Sequence, residues 1–167
     1  MSDEARLLAE LHAARALMRA PAPAPRIGHA ALWAHATRAG GGPVDLAVVR
    51  ALRTDPDTAR RYRILLAAQS IAYAPLAAAA LDGALLRRRV GPFALEILEG
   101  TPPLLILRGA EARPPRTIEA WLGDAAVRLD LPPPVEGAIV LALDPVVPEA
   151  VELGWMLRDP GSAVFLL

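Results

Sequence analysis

The chain has 167 residues, 54% of them apolar, and its 18 basic and 18 acidic residues balance to a formal net charge of zero. Every basic residue is Arg, and there is neither Lys nor Cys. Without Lys there is no Schiff base and no phosphate-binding lysine of the Walker or kinase type, and without Cys there is no thiol nucleophile, disulfide or thiolate metal centre.

The zero net charge conceals a division. Residues 1–90 hold thirteen Arg against seven acidic residues, a net +6, whereas residues 91–167 hold five Arg against eleven acidic residues, a net −6. Such asymmetry points to two surfaces with different electrostatic preferences and to a binding role for at least one of them. The acidic opening Met1-Ser2-Asp3-Glu4 has no apolar stretch behind it, which leads to the expectation of a cytoplasmic protein.

In chain order, Ser2 is placed to cap a helix whose Leu7, Leu11, Ala14 and Met18 recur at helical spacing. Pro21, Pro23 and Pro25 end it and form a stiff link. A second helix is expected over 28–38, anchored by Leu32 and Trp33, before Gly40-Gly41-Gly42-Pro43 breaks the chain. A third starts near Asp45 and runs through Val48, Val49 and Leu52. Asp55-Pro56-Asp57 then restarts the chain as a helix, with Asp as cap, Pro in the first helical position and a second Asp near the positive end of the dipole. This helix sets Tyr62, Leu65, Leu66, Gln69 and Tyr73 on one side, and Pro75 kinks it or separates it from another Ala-rich helix ending before Asp82. Residues 64–81 carry no charge and are long enough to span a bilayer, but the stretch contains Gln69, Ser70 and Pro75 and has Arg on both flanks. A helix buried in protein is the expectation, with no membrane partner.

After Arg87-Arg88-Arg89 the pattern changes. Strands are expected over 90–98, 104–107, 117–122, 125–131 and 138–143, with Gly123-Asp124 as a tight hairpin connection. Residues 148–158 suit a helix with Val151, Trp155 and Met156 toward the core, and 163–167 a final strand. The fold class read from this pattern is α+β. A helical region of four to five helices (1–88, Arg-rich) precedes a small, mostly antiparallel sheet with one C-terminal helix (89–167, acidic).

No catalytic, cofactor or metal motif emerges. His29 and His35 are six residues apart and do not share a helical face, and His12 belongs to another helix. Neither Ser70 nor Ser162 sits in a nucleophile elbow, and Gly40-Gly41-Gly42 lacks the spacing of a phosphate loop. Glu96, Glu99, Glu119, Asp124 and Asp130 are carboxylates available for acid–base work, and they define a small-enzyme alternative.

The Arg clusters are the main candidates for binding: Arg50, Arg53, Arg60, Arg61 and Arg63 around the Asp-Pro restart, and Arg87, Arg88 and Arg89 further on. Guanidinium forks suit the carboxylates of an acidic protein surface. The same groups would also meet a nucleic-acid backbone, with the two helices around Asp55 arranged like a helix-turn-helix. Those two helices resemble the small helical domains of bacterial anti-sigma factors, in which an Asp-Pro turn joins two amphipathic helices. The resemblance spans only that pair and lacks the Cys and His ligands of the zinc-bearing versions, and it implies a regulatory binder. The resulting expectation is a non-catalytic interaction or regulatory protein. Its basic half would grip one partner, while its acidic half docks another or a second copy of itself.

Overall fold

The computed structural model describes Leu8, Glu10, 26–38, 42–74, 80–82, 85–109 and 112–167. The expected N-terminal helix and its proline link fall outside the described residues except for Leu8 and Glu10, which are helical. Four helices follow: α1 (His29–Thr37), α2 (Leu46–Thr54), α3 (Pro56–Gln69) and α4 (Pro148–Arg158).

The helix starts obey local rules. The Asp45 carboxylate accepts from the backbone N–H of Ala47 at 2.8 Å and opens α2. Asp55 ends α2 and opens α3, accepting from the Asp57 N–H at 3.1 Å and from Thr58 Oγ1 at 2.6 Å, with Pro56 in the first turn. Leu32 and Ala36 of α1, Val48 and Leu52 of α2, and Tyr62, Leu65 and Leu66 of α3 are buried together. Trp33, expected beside Leu32 as an anchor, is instead exposed.

The expectation of helix beyond Ser70 is corrected at 72–74 and 80–82, while 75–79 lie outside the described residues. The chain forms strand β1 (Ala72–Ala74), then β2 (Ala80–Asp82) and β3 (Leu85–Val90). Backbone pairing explains this: Ala72 lies opposite Leu166 and Ala74 opposite Val164 on the last strand, and the Tyr73 ring stacks on Phe165 at 4.6 Å. A sheet partner ninety residues away overrides the helical preference of alanine. The single strand expected over 90–98 is likewise two, β3 and β4 (Phe93–Leu98), joined through Gly91 at φ +58°. A side chain at Gly91 would meet Ala72 Cβ at 2.9 Å, so both the turn and the close approach require glycine.

The remaining strands are β5 (Leu104–Arg108), β6 (Thr117–Leu122), β7 (Ala125–Asp130), β8 (Ala138–Ala142) and β9 (Ala163–Leu166). They form two wholly antiparallel sheets, β1-β9-β6-β7 and β2-β3-β4-β5-β8, where one small sheet was expected. Residue 88 lies within β3, and β1 of the Arg-rich half pairs with β9 of the acidic half.

Alternation along the strands builds three layers. Leu86, Val90, Leu95, Ile97, Leu105 and Leu107 of the five-stranded sheet share a core with Ile118, Ala120, Val164 and Leu166 of the four-stranded sheet. The opposite face of the four-stranded sheet presents Trp121 and Phe165 to α1, α2 and α3. Strand β6 is covered on both sides, which is why Thr117 to Trp121 are all buried. Helix α4 packs on β6 and β7. It buries Ala150, Leu153, Met156 and Leu157, while Val151 and Trp155, expected inside, face out; Trp155 is 75% exposed. The stripe through 150, 153 and 157 wins because it carries the continuous apolar row facing the sheet.

Candidate functional site

The eight arginines nominated by the sequence do not share one surface. Arg50 and Arg53 lie on α2, and Arg60 and Arg61 on α3, all exposed. Arg60 pairs with Asp57 one turn back at 3.4 Å, and Arg61 donates to the Ile27 carbonyl at 3.2 Å. Arg63 is half-buried, its guanidinium 5.7 Å from the centroid of the Trp121 ring. On β3 the side chains alternate. Arg87 and Arg89 point outward, with Arg87 sharing Glu96 with Arg108 at 3.3 Å each. Arg88 points inward and is 3% exposed. Its guanidinium donates to Ser162 Oγ at 2.6 Å, to the Ser162 carbonyl and to the Asp159 carbonyl, tying β3 to the turn after α4. Arg88 is thus an internal brace, and no part of it is offered to a partner.

The carboxylates divide similarly. Glu96 is held by two arginines and Glu99 by Arg158 at 2.7 Å, while Asp130 accepts from Thr117 Oγ1 at 3.5 Å. Glu119 alone is deeply buried, at 3% exposure. Residues i and i+2 of a strand share a face, so Glu119 and Trp121 both turn toward the helices, and Trp121 Nε1 donates to Glu119 Oε1 at 2.9 Å. Tyr62 of α3 donates its hydroxyl to Oε2 at 3.4 Å, and Arg128, directly opposite on β7, reaches the same oxygen at 3.5 Å. Burial pushes the Glu119 carboxyl above its usual range despite these donors. The Tyr62 hydroxyl is pushed up as well, by burial and then by the neighbouring carboxylate.

Arg128 closes the network onto α1. It donates to the carbonyls of His35, Ala36 and Arg38, at 3.3, 3.2 and 3.1 Å, and so satisfies the exposed end of that helix. His35 packs its ring against Tyr62 at 5.5 Å. Burial, with Arg38 and Arg128 nearby, lowers its pKa to about 4, so its imidazole is neutral near pH 7. With three donors on its two oxygens, Glu119 is a fixture of the helix–sheet junction and not a base positioned to take a proton from a substrate.

Two clefts flank this junction, and both are lined by Arg38 and Arg128. One, of about 380 Å³, also takes in His35, Arg53, Glu119 and Trp121. The other, of about 480 Å³, takes in Arg113, Arg116 and Asp130. Arg38, Arg113, Arg116 and Arg128 were not among the sequence candidates. They come from three segments with no local motif, and only the packing of α1 on the β6–β7 hairpin brings them together. Among the described residues, no three His, Asp or Glu side chains converge as a metal site, and no helix is long and apolar enough to cross a membrane. No family model matches the chain, and the comparisons with curated proteins and with solved structures return no match either.

Proposed function

We propose that this chain is a non-catalytic interaction or regulatory protein that engages a partner with an acidic surface through the exposed arginines of α2 and α3. The observation that carries this reading is that Arg50, Arg53 and Arg61 are exposed on adjacent helices with no carboxylate within ion-pair distance among the described residues. Exposed guanidinium groups need little desolvation to meet a partner's carboxylates, and complementary charge raises association rate and selectivity. The nominated surface narrows accordingly to Arg50, Arg53, Arg60 and Arg61, with Arg89 on the separate sheet face. The same reading places the protein in the cytoplasm and assigns it no cofactor.

A phosphate backbone is less well served by this surface. The N-termini of α2 and α3, where helices offer N–H groups to phosphate, are occupied by Asp45 and Asp55, and Asp57 adds a further negative charge. Enzymatic use of Glu119 is disfavoured by its three internal donors.

The test is native capture with tagged wild-type chain and with the triple variant R50E/R60E/R61E, whose fold is checked by circular dichroism. A stoichiometric protein retained by the wild type and lost by the folded variant supports the proposal. Equal capture by both overturns it, and nuclease-sensitive material replaces it with the nucleic-acid reading.

A further inference from the structure

The larger of the two clefts beside Arg128 gathers four arginines around one acidic side chain, with Leu167, the last residue, also in its lining. Arg38 ends α1, Arg113 and Arg116 precede β6, Arg128 stands on β7, and Asp130 is the one acidic residue described in the lining. Arg128 is internally committed to Glu119 and three carbonyl groups. Arg38, Arg113 and Arg116 have no carboxylate within ion-pair distance among the described residues. The buried Arg38 Nε has no protein acceptor at all. Like charges gathered in one cleft repel one another unless an anion offsets them, and the buried Arg38 donor left without an acceptor adds to that cost.

We propose that this cleft binds a small organic anion, a phosphate ester or a dicarboxylate. Three arginines without an ion-pair partner among the described residues outnumber the Asp130 side chain and the terminal carboxylate of Leu167, so the cleft keeps a positive excess that selects an anion. Guanidinium forks suit the paired oxygens of both anion classes. The cleft's volume of about 480 Å³ exceeds what inorganic phosphate fills and lies in the range of small-molecule sites. Thr37, Gln69 and Thr117 line it with neutral hydrogen-bonding groups, and Ala36 and Ile71 supply an apolar wall for the organic body. The site is separate from the α2–α3 arginines, so it stands or falls independently of the partner proposed above.

The experiment is calorimetric titration of the full chain, at constant ionic strength, with glycerol 3-phosphate and with succinate, using glycerol and chloride as controls. Saturable binding of either dianion, absent for both controls, is the expected result, and the dianion that binds identifies which class of anion is recognised. The double variant R113A/R116A removes two exposed side chains and leaves the internal network intact. It is expected to weaken binding about tenfold or more. The proposal is overturned if neither dianion binds beyond the controls, or if R113A/R116A binds as tightly as the wild type.

Discussion

Trp121 and Glu119 stand two residues apart on one strand, and the indole N–H of the first holds the carboxyl of the second at 2.9 Å. The sheet therefore carries its own donor to an acidic side chain before the helices close over both. Tyr62 and Arg128 complete the arrangement from α3 and β7, which couples the helical layer to the sheet at a polar point inside an apolar interface.

That coupling is measurable. Trp121→Phe deletes the donor while keeping most of the ring, and it should cost about 1–3 kcal/mol in urea denaturation because a buried oxygen loses its partner. Glu119→Gln keeps an acceptor and removes the desolvated charge, and it should cost about 1 kcal/mol or less. A double-mutant cycle should show the two changes to be non-additive; strict additivity would mean the bond contributes nothing.

The Glu119 and His35 shifts give opposite pH slopes. Raised by burial, the Glu119 carboxyl binds its proton more tightly in the folded chain. Its contribution is therefore full below the usual carboxylate range and is lost as pH rises through the folded value. His35, lowered from 6.5 to about 4, contributes above 6.5 and loses that contribution as pH falls through about 4. Acidification from pH 7 to pH 4.5 should thus cost the wild type more than His35→Gln. The difference should be on the order of 1–2 kcal/mol, given the partial exposure of the ring. Denaturation midpoints of both proteins at the two pH values decide this, and parallel losses would refute it.

The three consecutive arginines of β3 should separate cleanly. Arg88→Met leaves the oxygens of Ser162 and Asp159 without their charged donor and should destabilise by about 3 kcal/mol or more. Arg87→Ala and Arg89→Ala change exposed groups and should stay within about 0.5 kcal/mol. Chemical denaturation of the three variants checks the order, and equal effects would mean that the alternation along β3 carries no energetic weight.

The local readings that succeeded rest on short-range chemistry. Asp55-Pro56-Asp57 opens a helix because cap, ring and dipole act within four residues, and Gly123-Asp124 joins two strands because the turn needs glycine at positive φ. The missed strands, Ala72–Ala74 and Leu85–Val90, show the opposite. Ala72 and Ala74 favour helix locally, but the two strands are set by β9 and β4, and β9 lies outside any local window. The same applies to the arginines. Spacing along the chain singled out 87, 88 and 89 as one cluster, whereas strand alternation divides them between the surface and the interior.

The sequence by itself determined the starts of α1 to α4, most of the strands after residue 90, the absence of Lys and Cys chemistry, and the opposing charges of the two halves. These follow from residue type and from interactions within a few positions. Tertiary structure alone decided which charges are internal and which are surface. It put Glu119 and Arg88 in the core, set Trp155 outside, and drew Arg38, Arg113, Arg116 and Arg128 from separate segments around one cleft. A charged side chain's role depends on its solvent and its neighbours, and both are fixed only when the sheets and helices pack.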